Sequence, residues 1–278
     1  MLDIILDTLI DGAKLLPFLF ITFLIIELIE HKLGSKTKKT ISKSGKYGPF
    51  FGGLLGLFPQ CGFSVMATNL YITRIISIGT LVSVYLATSD EMLPIMISKN
   101  VPISMIFIIL SIKFAVGMIT GFIVDFILRK KETTTYDICE KEHCHCDKGI
   151  LYSSIVHTLK TVAFIMLITF GLNILFEYGA EDFLSKLLLN DTIFTPLITS
   201  LIGLIPSCGA SVMITELYLS NIINLGSMIA GLLTGSGVAL IVLFKNNKNL
   251  KENFLILSII YGVGVLSGII IELIEMFI

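Results

Sequence analysis

The sequence PQCG at residues 59–62 interrupts one apolar stretch of this 278-residue chain, and PSCG at residues 206–209 interrupts another, 147 positions later. At that offset, more than half of the positions in residues 56–79 are identical to those in residues 203–226. The similarity continues without a gap over nearly the whole chain. The protein is therefore an internal duplication, and its two cysteine segments predict one site with two contributors.

The composition is that of a polytopic membrane protein, with 54% hydrophobic residues, 15% charged residues and a mean hydropathy of +0.91. About 20 apolar residues cross a hydrocarbon core. Stretches of that length are found at 15–29, 75–97, 103–128, 150–176, 222–244 and 254–278. The first residues are acidic rather than basic, so no cleavable signal peptide is expected. We expect the lipid bilayer and no nucleic acid as a partner, and a homodimer is compatible with the chain.

Equivalent loops of the two halves carry opposite charge. Residues 32–46 contain six lysines and no acidic residue, whereas residues 177–191 contain mainly acidic residues. By the positive-inside rule the first loop is cytoplasmic and the second is not. This swap predicts two inverted-topology repeats, 1–131 and 149–278, joined by a cytoplasmic linker at 132–148. The expected location is the bacterial inner membrane, with several passes.

Inversion requires each half to cross the membrane an odd number of times, so the cysteine segment must enter and leave by one face. The ten residues before Pro59 rise about 15 Å as a helix, half of a hydrocarbon core of about 30 Å. This predicts a re-entrant helical hairpin with its tip at 59–62, and a second with its tip at 206–209. The alternative is a single spanning helix kinked at Pro59.

A second interruption follows each predicted hairpin, TSDE at 88–91 and GSG at 235–237. Polar or glycine-rich backbone at membrane depth is tolerated where it is buried in protein or lines a cavity. Each half therefore contributes a hairpin tip and a broken helix to one central chamber. The predicted fold class is an all-α polytopic membrane protein with two inverted repeats, each with full transmembrane helices, a re-entrant hairpin and a broken helix.

Cys61 and Cys208 each begin the helical arm that follows a tip. The positive end of a helix dipole favours a thiolate there, which is the ligand that a soft metal ion or As(III) requires. The alternative is that cysteine is a small apolar residue at a tight tip. The predicted substrate-binding residues are Gln60, Cys61, Ser64, Asn69, Ser207, Cys208, Ser211 and Glu216.

Asp90 and Glu91 are adjacent carboxylates inside an apolar span, where each costs at least about 2.5 kcal/mol. They would ligate a cation, carry a coupling proton or pair with Lys113 in the following span. We predict these three as coupling residues. The sequence contains no phosphate-binding loop for ATP, so the expected driving force is a proton gradient, and the protein is not expected to be an enzyme.

The linker sequence CEKEHCHC at 139–146 holds three of the five cysteines and two of the four histidines. In a reducing cytoplasm such a tract is typical of metal binding rather than of disulfides, and an incidental solvated loop is the alternative. No tightly bound cofactor is expected, and a transition metal ion would be a substrate or a regulator. The predicted metal ligands are Cys61, Cys208, Asp90, Glu91, Cys139, His143, Cys144, His145 and Cys146.

The charge of the cargo is the least determined property. Helix ends aimed at the midplane favour an anion, whereas the cysteines and carboxylates favour a cation. The second set tips the prediction to a metal or metalloid ion, with an anionic or organic substrate as the alternative. A channel and a membrane thiol enzyme are less favoured, because the layout is interrupted and the intramembrane cysteines are single in each half.

These motifs resemble those of the ten-transmembrane heavy-metal exporters, a bacterial family also labelled arsenic efflux protein or manganese transporter. The resemblance rests on FPQCGFS at 58–64, TSDE at 88–91, the linker at 139–146, PSCGASV at 206–212 with TELY at 215–218, and GLLTG at 231–235. It covers both halves and implies an integral membrane exporter. By architecture alone, the predicted hairpins and broken helices also look like those of the ion-transporter superfamily of secondary carriers.

Overall fold

A computed structural model describes residues 47–58, 61–89, 92–128, 150–175 and 195–277, with several positions between Ala13 and Leu24. The regular elements in these ranges are α-helices. In chain order they are α1 (Gly48–Gly56), α2 (Cys61–Ile72), α3 (Ile78–Ala87), α4 (Met92–Ser98), α5 (Ile103–Ile127), α6 (Ile150–Leu175), α7 (Thr195–Gly203), α8 (Cys208–Leu219), α9 (Leu225–Thr234), α10 (Ala239–Asn246) and α11 (Leu250–Phe277).

Three described stretches are long and apolar enough to cross a membrane, namely Ile103–Ile127, Leu225–Asn246 and Leu250–Phe277. All three coincide with predicted spans, at 103–128, 222–244 and 254–278, and the second comprises α9, α10 and the interruption between them. The predicted span at 150–176 is a helix of 26 residues, α6. The predicted span at 15–29 and the loops at 32–46 and 177–191 lie wholly or mostly outside the described residues.

The helix pattern of the first half recurs in the second, so that α1 to α5 correspond to α7 to α11. Around each cysteine segment a helix of 9 residues is followed by one of 12 residues. Residues 204–207 are not helical, and the backbone of Ser207 is extended. The segment is thus two helices of the lengths predicted for hairpin arms. Their return to one membrane face, and the inversion of one half against the other, stay predictions.

Both predicted helix breaks are present. α3 ends at Ala87, where Thr88 leaves helical geometry with φ −54° and ψ 127°, and α4 begins at Met92. α9 ends at Thr234, and α10 begins at Ala239. Between them Gly237 has φ 56°, a left-handed conformation that glycine adopts at little cost.

Glycines bring equivalent helices into backbone contact in the two halves. A Cβ added to Gly79 of α3 would lie 2.1 Å from the carbonyl oxygen of Gly121 in α5. A Cβ added to Gly226 of α9 would lie 2.6 Å from the carbonyl oxygen of Gly268 in α11. Because lipid provides no hydrophobic driving force between helices, their association depends on close van der Waals packing, and small residues such as glycine allow it. The contacts recur at the same offset of 147 residues, so the duplication is visible in the packing as well as in the sequence.

Two carboxylates at equivalent positions of the repeats, Asp125 and Glu272, hold the beginnings of the two central helices. Asp125 of α5 accepts hydrogen bonds from the Ser77 hydroxyl at 2.6 Å and from the Gly79 amide at 2.8 Å, where α3 begins. Glu272 of α11 accepts from the Ser227 hydroxyl at 2.8 Å, where α9 begins. Each acid satisfies donors at a positive helix end, so both central helices are anchored at their first turn.

The central helices α3 and α9 are buried along nearly their whole length, whereas α5 and α11 expose large apolar side chains. The second arm of each cysteine segment packs on the broken helix of the other half, α2 on α10 and α8 on α4. The two halves therefore interlock at the helix breaks, which is where the candidate site is found.

Candidate transport site

Three polar side chains of α2 are buried. Ser64, Thr68 and Asn69 are each 1% exposed or less. The Thr68 hydroxyl donates to the Ser64 carbonyl at 2.7 Å and lies 2.6 Å from the Tyr85 hydroxyl of α3. The Tyr85 hydroxyl oxygen also lies 3.4 Å from the carbonyl oxygen of Ala239, the first residue of α10. This chain of contacts joins the cysteine segment of one half to the helix break of the other.

Asn69 is the described member of the predicted set that best fits a binding role. Its side-chain amide nitrogen is buried and has no hydrogen-bond partner among the residues that the structure describes. An unsatisfied buried donor of this kind costs about 1–3 kcal/mol, so such groups usually meet water or a ligand. The Ser236 hydroxyl in the second helix break shares this state within the described ranges.

Lys113 is completely buried in the middle of α5. Its ammonium donates to the Thr88 carbonyl, which directly follows α3, and to the Leu232 carbonyl in the last turn of α9 at 2.9 Å. The carbonyls at the end of a helix carry its negative pole. The lysine predicted for coupling is therefore placed between the helix ends of both halves.

Cys61 and Cys208 are the first helical residues of α2 and α8, as predicted. Their side chains lie outside what the structure describes, as do Gln60, Asp90, Glu91 and the linker residues Cys139, His143, Cys144, His145 and Cys146. Within the described ranges no group of three or more metal-binding side chains is found. The predicted metal set therefore stays a prediction.

Ser207 and Ser211 flank the second cysteine. Ser207 is buried and caps α8, because its hydroxyl accepts a hydrogen bond from the Gly209 amide at 3.2 Å. Ser211 is half-buried, and its carbonyl accepts from the Thr215 hydroxyl at 2.7 Å. The hydroxyl of Ser207 thus has a structural role at the tip in addition to the predicted binding role.

Glu216 lies apart from the buried polar group. It pairs with Lys99 at 3.1 Å, and its side chain is 39% exposed. Its equivalent in the first half is Asn69, which is buried. Asn69 and Glu216 are thus at equivalent positions of the two repeats but in different environments. The partner of Glu216, Lys99, is not one of the predicted substrate-binding residues.

A cluster at the end of α2 was not predicted. The Arg74 guanidinium lies 2.9 Å from the Glu252 carboxylate in the first turn of α11, and the Tyr71 hydroxyl donates to the same carboxylate at 3.2 Å. Burial works against the guanidinium charge, but the hydrogen bond to Glu252 and the nearby negative charge keep the pKa of Arg74 above its ordinary value. The cluster ties the first half to the second.

Thr68 and Tyr85 were also missed by sequence reasoning. Thr68 carried a usable signal, because the equivalent position in the second half is also threonine, Thr215. Tyr85 carried none, since its equivalent is Leu232 and a tyrosine in an apolar helix is common. Its role follows from the contact with Thr68 and with α10.

Comparison with known proteins gives one family. The family model described as "Putative, 10TM heavy-metal exporter" matches residues 1–175 and 148–277, which together cover nearly the whole chain. Neither a curated protein nor a solved structure matches. The two matches overlap at residues 148–175, which include α6.

Proposed function

Because the chain belongs to the family described as "Putative, 10TM heavy-metal exporter", we propose that it is a secondary active transporter that exports a heavy-metal or metalloid ion across the bacterial inner membrane. The observation that supports this most is the interlocking of the halves at four interruptions. Each cysteine-led helix packs on the broken helix of the opposite half, α2 on α10 and α8 on α4. Unwound backbone of this kind is a common setting for ion sites in transporters.

In this proposal the ion is bound near the midplane by Cys61 and Cys208. Both residues begin a helix of 12 residues, and a helix N-terminus stabilises a negative thiolate. Thiolates bind soft metal ions and As(III) in preference to hard cations. Asn69 lies two turns after Cys61 in the same helix, and its unsatisfied amide N–H would donate to an oxygen atom carried by the cargo or by its water. Two half-sites around one ion explain why the cysteine segment is duplicated.

Export against a gradient requires coupling, and we assign it to Asp90 and Glu91 at the first helix break. The sequence has no ATP-binding loop, so protons are the proposed coupling ion. The equivalent residues in the second half are Gly237 and Val238. One half alone would therefore bring a titratable pair to the chamber, while the other supplies flexible backbone.

The linker at 139–146 is proposed to deliver or sense the metal on the cytoplasmic side. It lies between the two membrane repeats, and its cysteines and histidines are metal ligands by type. Because it is outside both repeats, its loss should change apparent affinity or regulation and leave the transport pathway intact.

A second candidate is a carrier for an anionic or organic substrate. The buried ammonium of Lys113 between two helix ends favours it, because the fixed positive charge neutralises the negative poles of α3 and α9. The positive poles at the beginnings of α2 and α8 would then remain to attract an anion.

The experiment that tests both candidates uses purified protein in proteoliposomes. Uptake of arsenite, Mn²⁺, other divalent metals, organoarsenicals and organic anions is measured for the parent, Cys61→Ser and Cys208→Ser. We expect each serine variant to lose transport of a soft cargo by at least about tenfold, since loss of a metal ligand should exceed the 10–100-fold effect of losing a residue that supports one. The matched control replaces Cys139, Cys144 and Cys146 by serine and should keep maximal transport.

Two results would contradict the metal assignment. If Cys61→Ser and Cys208→Ser both transport the soft cargo like the parent, the cysteines are packing residues. If the parent carries organic anions but no metal or metalloid ion, the second candidate replaces the first.

A further inference from the structure

Lys113 is a feature of this fold that the duplication does not explain. It is 0% exposed in the middle of α5, a helix long and apolar enough to cross the membrane. The equivalent residue of α11 is Ile260, which is also 0% exposed. The second copy of the repeat thus carries an apolar side chain at this position, whereas a charge within a membrane span is costly and usually functional.

Two contacts of Lys113 are with backbone oxygens, one in each half. Its ammonium donates to the carbonyl of Thr88, the residue that caps the end of α3, and to the carbonyl of Leu232 in the last turn of α9. A carbonyl in the last turn of a helix has no partner within that helix and carries part of its negative pole. The two helices thus aim their negative ends at one cation.

Such a pair of helix ends has the chemistry of a monovalent-cation site. In carriers with broken helices, unwound carbonyls and the C-terminal ends of half-helices coordinate a sodium ion or a proton. Here the first break follows Ala87 and the second follows Thr234, so the carbonyls beside both breaks are close enough to share one ammonium group.

We propose that the carbonyl ends of α3 and α9 form a monovalent-cation site that the chain fills with its own Lys113 ammonium. The tethered charge takes the place of an exchangeable alkali-metal ion, so this carrier needs no sodium at that position. It also holds the two broken helices together across the two halves of the duplication. The inference rests on the proposed transport function only where its effect on transport is measured.

The test removes the tethered cation and supplies a free one. Lys113→Ala leaves out three methylene groups and the ammonium, which n-propylammonium reproduces. Parent and variant are purified in detergent at neutral pH, and thermal unfolding is followed in chloride salts of n-propylammonium, sodium and choline at equal ionic strength. We expect parent stability to be equal in the three salts. We expect Lys113→Ala to be less stable in choline and to regain about 3–5 °C with n-propylammonium at saturating concentration.

Two further variants separate a cation site from a cavity. Ile260→Ala opens a space at the equivalent buried position of α11 without removing a charge, and it should be destabilised equally in all three salts. Lys113→Met fills most of the space with an apolar side chain; it should be less stable than the parent and should not respond to n-propylammonium. If Lys113→Ala unfolds on purification, recovery of folded protein by n-propylammonium during solubilisation supports the site.

Several outcomes would overturn the proposal. They are a Lys113→Met variant as stable as the parent, a Lys113→Ala variant that responds equally to choline and n-propylammonium, and an Ile260→Ala variant that gains as much from n-propylammonium as Lys113→Ala does. The functional counterpart is measured in transport. We expect n-propylammonium to restore transport by Lys113→Ala by at least about tenfold. The stability measurements do not depend on transport activity. They test the cation site even if neither the parent nor any variant transports metal, so the proposed function and the proposed site can fail independently.

Discussion

Arg74 and Glu252 join the first half of the chain to the second through a 2.9 Å ion pair that the Tyr71 hydroxyl reinforces. A second pair, Lys99 and Glu216 at 3.1 Å, also joins the two halves. The first pair is mostly buried, with side chains 32% and 15% exposed, and the second is more exposed, at 54% and 39%. In the inverted topology the two pairs would lie toward opposite faces, where a carrier must open in turn.

The buried fraction of each pair predicts how much it contributes. Arg74→Gln should lower stability by about 1–2 kcal/mol, between the values for exposed and buried pairs. Lys99→Gln should change it by less than about 0.5 kcal/mol, because solvent screens an exposed pair. Thermal unfolding in detergent measures both, and a double-mutant cycle with Glu252→Gln isolates the pairwise energy. If Arg74→Gln and Lys99→Gln change the stability equally, burial does not set the contribution of these ion pairs.

The glycine contacts predict a matched set of alanine variants. Gly79→Ala should destabilise the protein by about 1–3 kcal/mol, because its Cβ would overlap the carbonyl of Gly121 and force the helices apart. Gly226→Ala should behave alike through Gly268. The control is Gly262→Ala in α11, where a Cβ meets nothing within 4 Å.

For that control the expected change is neutral to stabilising by up to about 1 kcal/mol, since alanine favours the helix. Thermal unfolding of the three variants under one detergent condition decides the matter. A loss of stability in Gly262→Ala as large as in Gly79→Ala would show that the helix contacts are not the cause.

The inverted topology predicts the accessibility of single cysteines in a cysteine-free variant. Cysteines that replace Lys38 and Lys248 should be protected from an impermeant thiol reagent in intact cells, because basic loops face the cytoplasm. One that replaces Asp182 should react. Permeabilised cells are the control, in which all three must be labelled. Labelling of the Lys38 position in intact cells would refute the inversion.

Proton coupling by the first helix break predicts a separation of uphill from downhill transport. Asp90→Asn and Glu91→Gln each remove a group that can be protonated on one face and charged on the other. We expect at least one of them to abolish transport driven by an imposed pH gradient in vesicles while retaining downhill exchange. The control is Glu275→Gln, which alters an exposed carboxylate in the last turn of α11 and should keep the gradient response. Uphill transport with unchanged pH dependence in both Asp90→Asn and Glu91→Gln would assign coupling to another group.

Local features of the chain were predictable from sequence alone because each has a short-range physical cause. The duplication, the helical class and the long apolar helix Ile103–Ile127 follow from repetition and hydropathy. The ends of the helices beside Cys61, Cys208 and Gly235 follow from proline, glycine and polar residues that interrupt an apolar helix. These signals act within a few residues, so no knowledge of the packing is needed.

What surrounds each buried group was decided by tertiary structure. One alternative from the sequence was that Asp90 or Glu91 pairs with Lys113. Both acids lie outside the described residues, and the structure places the carbonyls of Thr88 and Leu232 beside the ammonium. Every residue carries a carbonyl, so a backbone acceptor leaves no mark in the sequence. Likewise Glu216 pairs with Lys99 although its repeat equivalent Asn69 is buried. The sequence determined which segments are helical and where the helices are interrupted. The packing of one half against the other determined which polar groups are in contact.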